Sequence, residues 1–502
     1  MRVERHDARA AHSVSPTIRH ERLVALSIGL ALVLARTFVF LRYESSNFDS
    51  DQAIIGLMAK HLGEGRAFPL FLYGGTYMLA FEAWLAAPVF WIAGASVGAL
   101  HASLVLTNLA VTVLLIVGLE RWGGLRPLYA LAAAAFFAFA PPYTSALLVQ
   151  ASANIEPFLF VLLLWIVRDR PLWFGAILAI GFLTREFTAY AVPIIVIGQI
   201  WDRSLFRADT VRRWLLTTVV FFAVWECVQA LRPFADLMGP GTRGQLIRGF
   251  AGSQFDNMAG RASFGLAELP GRGAAMVVHH LPRLLGATAV DEAVARQGRD
   301  WMFWPIMAGL SAAMLRTMFV LVRGRRLSPR QSAFGWYVLG VGVMGAVGYV
   351  ASRPISTVVD RYYLLVVFIP VGATAVFLAH EPSLWLRRAM LSLVFVWTAC
   401  SSVDHVRLLE RYRGRHEPDA IRTFADALVA RHLRTAEAGY WRAYKLTFLT
   451  GERVKVASTD FIRIAEYQDL AAAEGDRLIS IREEACAGGE RIAGWFLCRE
   501  TR

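Results

Sequence analysis

Apolar runs of about 20 residues recur along this chain, each long enough to cross a hydrocarbon core roughly 30 Å thick as a helix. The first occupies residues 23–41 and the last 384–400. Lipid leaves no backbone group unpaired without a large cost, so such runs must be helical. A soluble domain rarely combines 56% hydrophobic with only 18% charged residues, as these 502 do. The first run is longer than a signal peptide's apolar region and no Ala-x-Ala type cleavage site follows it, so it reads as a retained span. The fold class is therefore an all-α polytopic membrane protein.

The net charge of +13 comes largely from arginines in short loops, as expected of loops on the cytoplasmic side. No dense basic run with interleaved aromatics is present, which argues against nucleic acid as a partner. Putting the basic loops inside orients the chain. Residues 1–22 become a cytoplasmic N-terminus, 23–402 a transmembrane domain of about eleven helices, and 403–502 an external domain. Two external segments interrupt the spans, 42–95 and 232–300. The spans after the first are expected at 96–119, 128–149, 155–167, 172–183, 187–201, 214–231, 301–322, 333–350, 362–378 and 384–400. Pro141-Pro142 should break or kink the second of these. The stretch 79–92 is short and carries Glu82 near its start. Counting it as a span would put the loop of Glu120, Arg121 and Arg126 on the wrong side, so it reads as an interfacial or re-entrant helix.

The C-terminal domain changes character. Its residues 404–502 carry 17 basic and 16 acidic side chains and read as a small α/β unit. An amphipathic helix is expected over 418–433 and a hairpin over 445–458, its strands 446–449 and 454–456 joined by a turn at Gly451-Glu452. Further strands are expected at 477–482 and 491–499. Cys227 and Cys400 fall in apolar spans and read as inert. Cys486 and Cys498 lie in this domain, and an oxidising compartment would let them pair.

Several polar groups cluster at the predicted outer face. The acidic stretch Asn47-Phe48-Asp49-Ser50-Asp51-Gln52 lies where the chain leaves the first span. Its carboxylates suit a site, although Asp51 could instead cap a helix over 52–62. Arg185 and Glu186 fall between two short spans; a guanidinium there can grip phosphate oxygens in a fork, or pair with Glu186. Arg353, Asp360, Arg361 and Tyr362 form a second cluster, which reads equally as an interfacial anchor. Glu226, inside a span about five residues from its outer end, is the feature that best suits a transporter. His61 reads as a surface residue. His279-His280 has no Cys or carboxylate at a suggestive spacing, so no metal site is expected.

In order, Asp51-Gln52-Ala53-Ile54, Leu57-Met58-Ala59-Lys60-His61-Leu62, Gly65, Phe68-Pro69, Tyr73-Gly74-Gly75-Thr76-Tyr77, Glu82-Ala83 and Ala87-Pro88 resemble the first external loop of the GT-C membrane glycosyltransferases. They are most like the branch that includes protein mannosyltransferases, aminoarabinose transferases and rhizobial lipopolysaccharide-core transferases. The resemblance covers the first six spans and, loosely, the tenth. The phrase from Tyr440-Trp441-Arg442 through Gly451-Glu452-Arg453-Val454 resembles the tail of bacterial members. What this implies is an inverting transfer, without a cofactor, from a polyprenyl-phosphate sugar donor to a lipid or glycan acceptor of the cell envelope. The site would face the periplasm of a bacterial inner membrane, among membrane lipids, with the C-terminal domain on that side.

Asp51 matches the first position of the family's acidic pair, usually Asp-Glu, whereas Gln52 replaces the second. An amide can hold a substrate hydroxyl but cannot take its proton, so the general base falls to Asp51, with Asp49 as the rival. Arg361-Tyr362-Tyr363 resembles the Arg-Tyr of many members. Substrate contacts are then expected at Gln52, Tyr73, Glu82, Arg185, Glu186, Arg353, Arg361 and Tyr362. The alternative function is a secondary transporter or flippase of an envelope lipid or sugar, which would place polar residues near the midplane on broken helices.

Overall fold

The computed structural model describes residues 16–43, 47–246, 255, 267–286, 300–323, 332–352, 360–414 and 420–499. Arg353 and, within the segment 232–300, residues 247–254, 256–266 and 287–299 lie outside the described residues.

Among these, seven helices are long and apolar enough to cross a membrane. They are α1 (Pro16–Arg42), α4 (Val97–Arg121), α10 (Ala208–Leu231), α11 (Asp300–Arg323), α12 (Ala333–Ala351), α13 (Phe368–His380, entered through a 3-10 turn at Asp360–Val367) and α14 (Leu384–Gly414). The pair α5 (Pro127–Ala138) and α6 (Pro142–Leu148) makes an eighth span bent by 84°. The spans expected at 155–167, 172–183 and 187–201 are the shorter apolar helices α7 (Glu156–Val167), α8 (Pro171–Thr184) and α9 (Ala191–Trp201, led by a 3-10 turn at Glu186–Tyr190). Between α1 and α4, in the segment expected to be the first external loop, lie α2 (Ser50–Gly63) and the short apolar helix α3 (Phe81–Ala93).

The break between α5 and α6 falls at Pro141-Pro142, where a proline cannot continue the hydrogen-bond ladder. The carbonyls freed there are answered from other helices. Buried Arg36 of α1 donates through Nε to the Ala138 carbonyl (3.1 Å) and through Nη2 to Asn108 Oδ1 (2.6 Å). His405 Nε2 lies 2.9 Å from the Ala140 carbonyl, which also accepts from Ser145 Oγ at 2.7 Å. A bend at membrane depth is tolerable when protein groups satisfy the backbone in this way. α1 packs on α4 and α5, α8 on α10, and α12 on α13. The segment from Arg361 to His380 is the most enclosed span, 83% buried, whereas α10 lies at the rim. Glu226 is exposed on that rim helix.

α14 runs unbroken to Gly414, so the domain boundary placed at 403 falls inside a helix. Beyond it, α15 (Ala420–Ala430), α16 (Tyr440–Leu449) and α17 (Ala465–Glu474) accompany strands β1 (Thr435–Ala438), β2 (Lys455–Ser458), β3 (Ile479–Arg482), β4 (Glu490–Ile492) and β5 (Trp495–Arg499). The sheet order is β2-β1-β3-β5-β4. β1 runs parallel to both β2 and β3, while β3–β5 and β4–β5 are antiparallel. The expected hairpin over 445–458 is not there. Parallel strands cannot be joined by a tight turn, and α16 is the crossover between β1 and β2. Its buried residues include Tyr440, Ala443, Tyr444 and Thr447, spaced as one helical face rather than alternating as a strand would. The strand expected at 491–499 divides into β4 and β5 at Ala493-Gly494, both at positive φ. The structure bridges Cys486 to Cys498, with Cα atoms 6.0 Å apart.

The C-terminal domain sits on the first external loop. α16 packs against α2, and a Cβ at Gly56 would fall 2.5 Å from Phe448 Cε2. Glu452, in the turn after α16, pairs with Lys60, with His61 (3.0 Å) and with Arg66 (2.8 Å), and accepts from Tyr467 Oη at 2.9 Å. Arg463 Nη1 donates to the Tyr73 carbonyl at 2.9 Å. His61 is thus fully buried in a domain contact, not on the surface; its place beneath Glu452 could not be read from its own helix.

Candidate functional site

The acidic stretch opens α2, but the cap is Asp49, not Asp51. The Asp49 side chain accepts the Gln52 N–H at 3.0 Å, the usual task of an N-cap carboxylate. Its second oxygen takes the Gln150 amide at 2.9 Å. Burial, and then the neighbouring Asp51 charge, push the Asp49 carboxyl above its ordinary range. Asp51, in the first turn of the helix, is left 29% exposed in its side chain. Its Oδ1 accepts from Tyr440 Oη at 2.5 Å, and its Oδ2 lies 3.7 Å from Arg361 Nη1. Arg361 Nη1 also reaches Ser152 Oγ at 3.3 Å.

Gln52 points inward. It is fully buried, with Oε1 accepting from the Ala151 N–H (3.3 Å) and lying 3.1 Å from His101 Nε2, while Nε2 donates to the Asn47 carbonyl (2.6 Å). Both ends of its amide are therefore engaged by protein. Tyr73 is also buried, its hydroxyl 3.2 Å from His61 Nδ1.

Glu82 begins α3 and lies beneath the loop between α6 and α7. Its Oε1 accepts from consecutive backbone N–H groups, Ser152 at 3.1 Å and Ala153 at 2.8 Å. Ala153 adopts a positive φ of 55°, a conformation that a non-glycine residue takes up only where its surroundings hold it. Burial, and then the adjoining Glu156 carboxyl, raise Glu82 well above the ordinary carboxylate range. Glu156, the first residue of α7, is fully buried, and its carboxyl meets that of Glu82 in a side-chain hydrogen bond. Nearby Arg185 interacts with it electrostatically.

Arg185 is also buried. Its guanidinium lies between two rings, 5.5 Å from the centroid of Phe187 and 5.4 Å from that of Tyr362, favourable cation–π placements. Nη1 contacts Met78 Sδ at 3.2 Å, while Nε and Nη2 have no hydrogen-bond partner among the described residues. Arg185 and Glu186 are not paired with each other; Glu186 is buried at the start of the 3-10 turn.

The structure therefore gathers Asp51, Glu82, Arg185, Arg361 and Tyr362 at one end of the bundle, linked through the 150–156 loop. Tyr440, Gln150, Ser152 and Glu156 join them without having been singled out as site residues. An intramembrane carboxylate at the start of a span is a signal that could have drawn attention to Glu156. Among the described residues no group of three or more His, Cys, Asp or Glu could hold a metal ion.

This arrangement of helices has a solved counterpart. ArnT from Cupriavidus metallidurans, in a crystal structure bound to undecaprenyl phosphate, superposes with a TM-score of 0.56 at 11% identity, over 95% of this chain and 97% of that one. The apo form gives 0.52 at 11% identity, over 96% and 98%. The chain has the GT-C fold. No family model matches the sequence, and no curated protein matches it. The residues gathered at this end of the bundle lie on the segment between α1 and α4 and on the elements facing it, and the C-terminal domain covers that segment.

Proposed function

We propose that this chain is a membrane glycosyltransferase that moves a sugar from a polyprenyl-phosphate carrier to a cell-envelope acceptor by inverting transfer, with Asp51 as general base. The observation that carries the reading is the partly exposed Asp51 carboxylate beside Arg361, on a GT-C fold. A neighbour of that fold has been crystallised with undecaprenyl phosphate, which supports the same class of carrier here.

In this reading the acceptor hydroxyl gives its proton to Asp51 as its oxygen bonds to the anomeric carbon. The bond from that carbon to the carrier's phosphate oxygen breaks on the opposite face, and the phosphate leaves with the electron pair. Arg361 and Arg185 are the cations for the phosphate and the charge that develops on it. A buried guanidinium with two unoccupied donors, as Arg185 has, is suited to bidentate contact with phosphate oxygens. Asp49, with both oxygens engaged, serves better as the support of the loop than as the base. Glu82 and Glu156 form the floor on which a sugar could be held. The expected setting is a bacterial inner membrane, with the N-terminus cytoplasmic and the C-terminal domain periplasmic.

A deletion strain complemented with variants tests this. Asp51→Asn should abolish the envelope glycoconjugate that the wild-type gene restores, a loss of at least about a hundredfold for a missing general base, with normal amounts of folded protein. Full restoration by Asp51→Asn would sink the assignment, and loss only in Asp49→Asn would move the base two residues along.

A further inference from the structure

We propose that Tyr440 of the C-terminal domain is a positioning residue for the Asp51 carboxylate, so that the external domain completes the active site. The inference rests on the reading of Asp51 as the base. Its basis is a contact between residues 389 positions apart: the phenol donates to Asp51 Oδ1 at 2.5 Å. The other oxygen faces Arg361 Nη1 at 3.7 Å. A base must present a lone pair to the acceptor with an accuracy of tenths of an ångström, and a misplacement near 1 Å costs on the order of a hundredfold in rate. A partly exposed aspartate on a first helical turn can rotate; a hydrogen bond on one oxygen and a cation beside the other fix its plane.

Tyr440 is itself held. Its ring packs against Trp441, Tyr444 and Phe461, with centroids 5.2, 5.6 and 5.5 Å away. Its backbone N–H donates to Asp460 Oδ1 at 2.7 Å. The hydroxyl is not what docks the domain. Lys445 N–H donates to Ser50 Oγ at 3.3 Å, Phe448 lies against Gly56, and Glu452 gathers Lys60, His61 and Arg66. Phenylalanine at 440 would keep the ring packing and every one of these contacts while removing the oxygen that touches Asp51. That oxygen also faces the Arg463 guanidinium, which docks on the Tyr73 carbonyl, so the unfolding temperature is read beside the rate to separate docking from positioning.

The test uses the full-length protein. Tyr440→Phe and Asp51→Asn are compared for the rate of glycoconjugate formation in membrane vesicles from the complemented deletion strain. Purified protein is compared for undecaprenyl phosphate binding and for unfolding temperature. Tyr440→Phe should lower the rate by about tenfold or more, with binding and unfolding temperature unchanged, and should add nothing further in the Asp51→Asn background. A rate in Tyr440→Phe equal to or above wild type, with Asp51→Asn inactive, overturns the positioning role and leaves the base assignment standing. An unfolding temperature lowered in proportion to the rate overturns it in favour of a structural role. An active Asp51→Asn removes both readings together.

Discussion

At the scale of single residues, neighbouring carboxylates on one loop have different work because their partners differ. Asp49 accepts the helix N-terminus and a glutamine, whereas Asp51 meets a phenol and a guanidinium. Glu452 is the clearest structural charge. Burial acts to raise its pKa, but His61 and Lys60 hold it well below the ordinary range. A carboxylate depressed in the folded state contributes stability that is present above its ordinary value, near 4.3, and is lost as the pH falls through its folded value. Glu452→Gln should therefore destabilise the protein at neutral pH by about 3 kcal/mol, the usual cost of leaving buried partners unmatched. Thermal unfolding in detergent should show this deficit narrowing as the pH drops below about 4.3; a deficit independent of pH would argue against the ion-pair account. Asp51 and Arg361 could be picked out from the chain because the phrases around them resemble a family's ordered motifs, and Arg185 because it falls between two short apolar runs. Tyr440 and Glu452 could not, because their partners lie hundreds of positions away and nothing local marks the contact.

At the scale of elements, periodicity was informative wherever a helix buries one face and misleading where length and flanks decide. The run from Tyr440 to Leu449 mixes aromatic residues of high strand propensity with helical spacing, and the parallel pairing of β1 with β2 requires the helix. The close approach of this helix to α2 depends on Gly56. A side chain there must displace the Phe448 ring, and overpacking of this kind costs roughly 1–3 kcal/mol. Gly56→Val should reduce transfer and lower the unfolding temperature, and Phe448→Ala should partly restore both. Two substitutions in contact are expected to couple in this way; strictly additive losses would place the two residues apart. The α5–α6 bend follows the same logic. Pro141-Pro142 announces a break, but which groups satisfy the freed carbonyls depends on Arg36 and His405, which approach from α1 and α14.

At the scale of the whole molecule, the polar cluster, the first external loop and the C-terminal domain occupy one end of the bundle. If that end is periplasmic, the Cys486–Cys498 bridge should be present in protein isolated without reductant. In a Cys227→Ser, Cys400→Ser background, alkylation should add two labels only after reduction, as read by mass. Two labels without reduction would place the domain in a reducing compartment or break the pairing.

The sequence by itself determined that the chain lives in a membrane and where most helices lie, and it drew attention to the acidic stretch after the first span. Apolar length, prolines and charge placement are local properties, and hydrocarbon leaves the backbone no other choice. The tertiary structure alone decided which carboxylate caps and which is exposed, that Gln52 is enclosed, and that a tyrosine from the far end of the chain meets Asp51. Those outcomes depend on contacts whose two halves are separated by most of the sequence, and only packing brings them together.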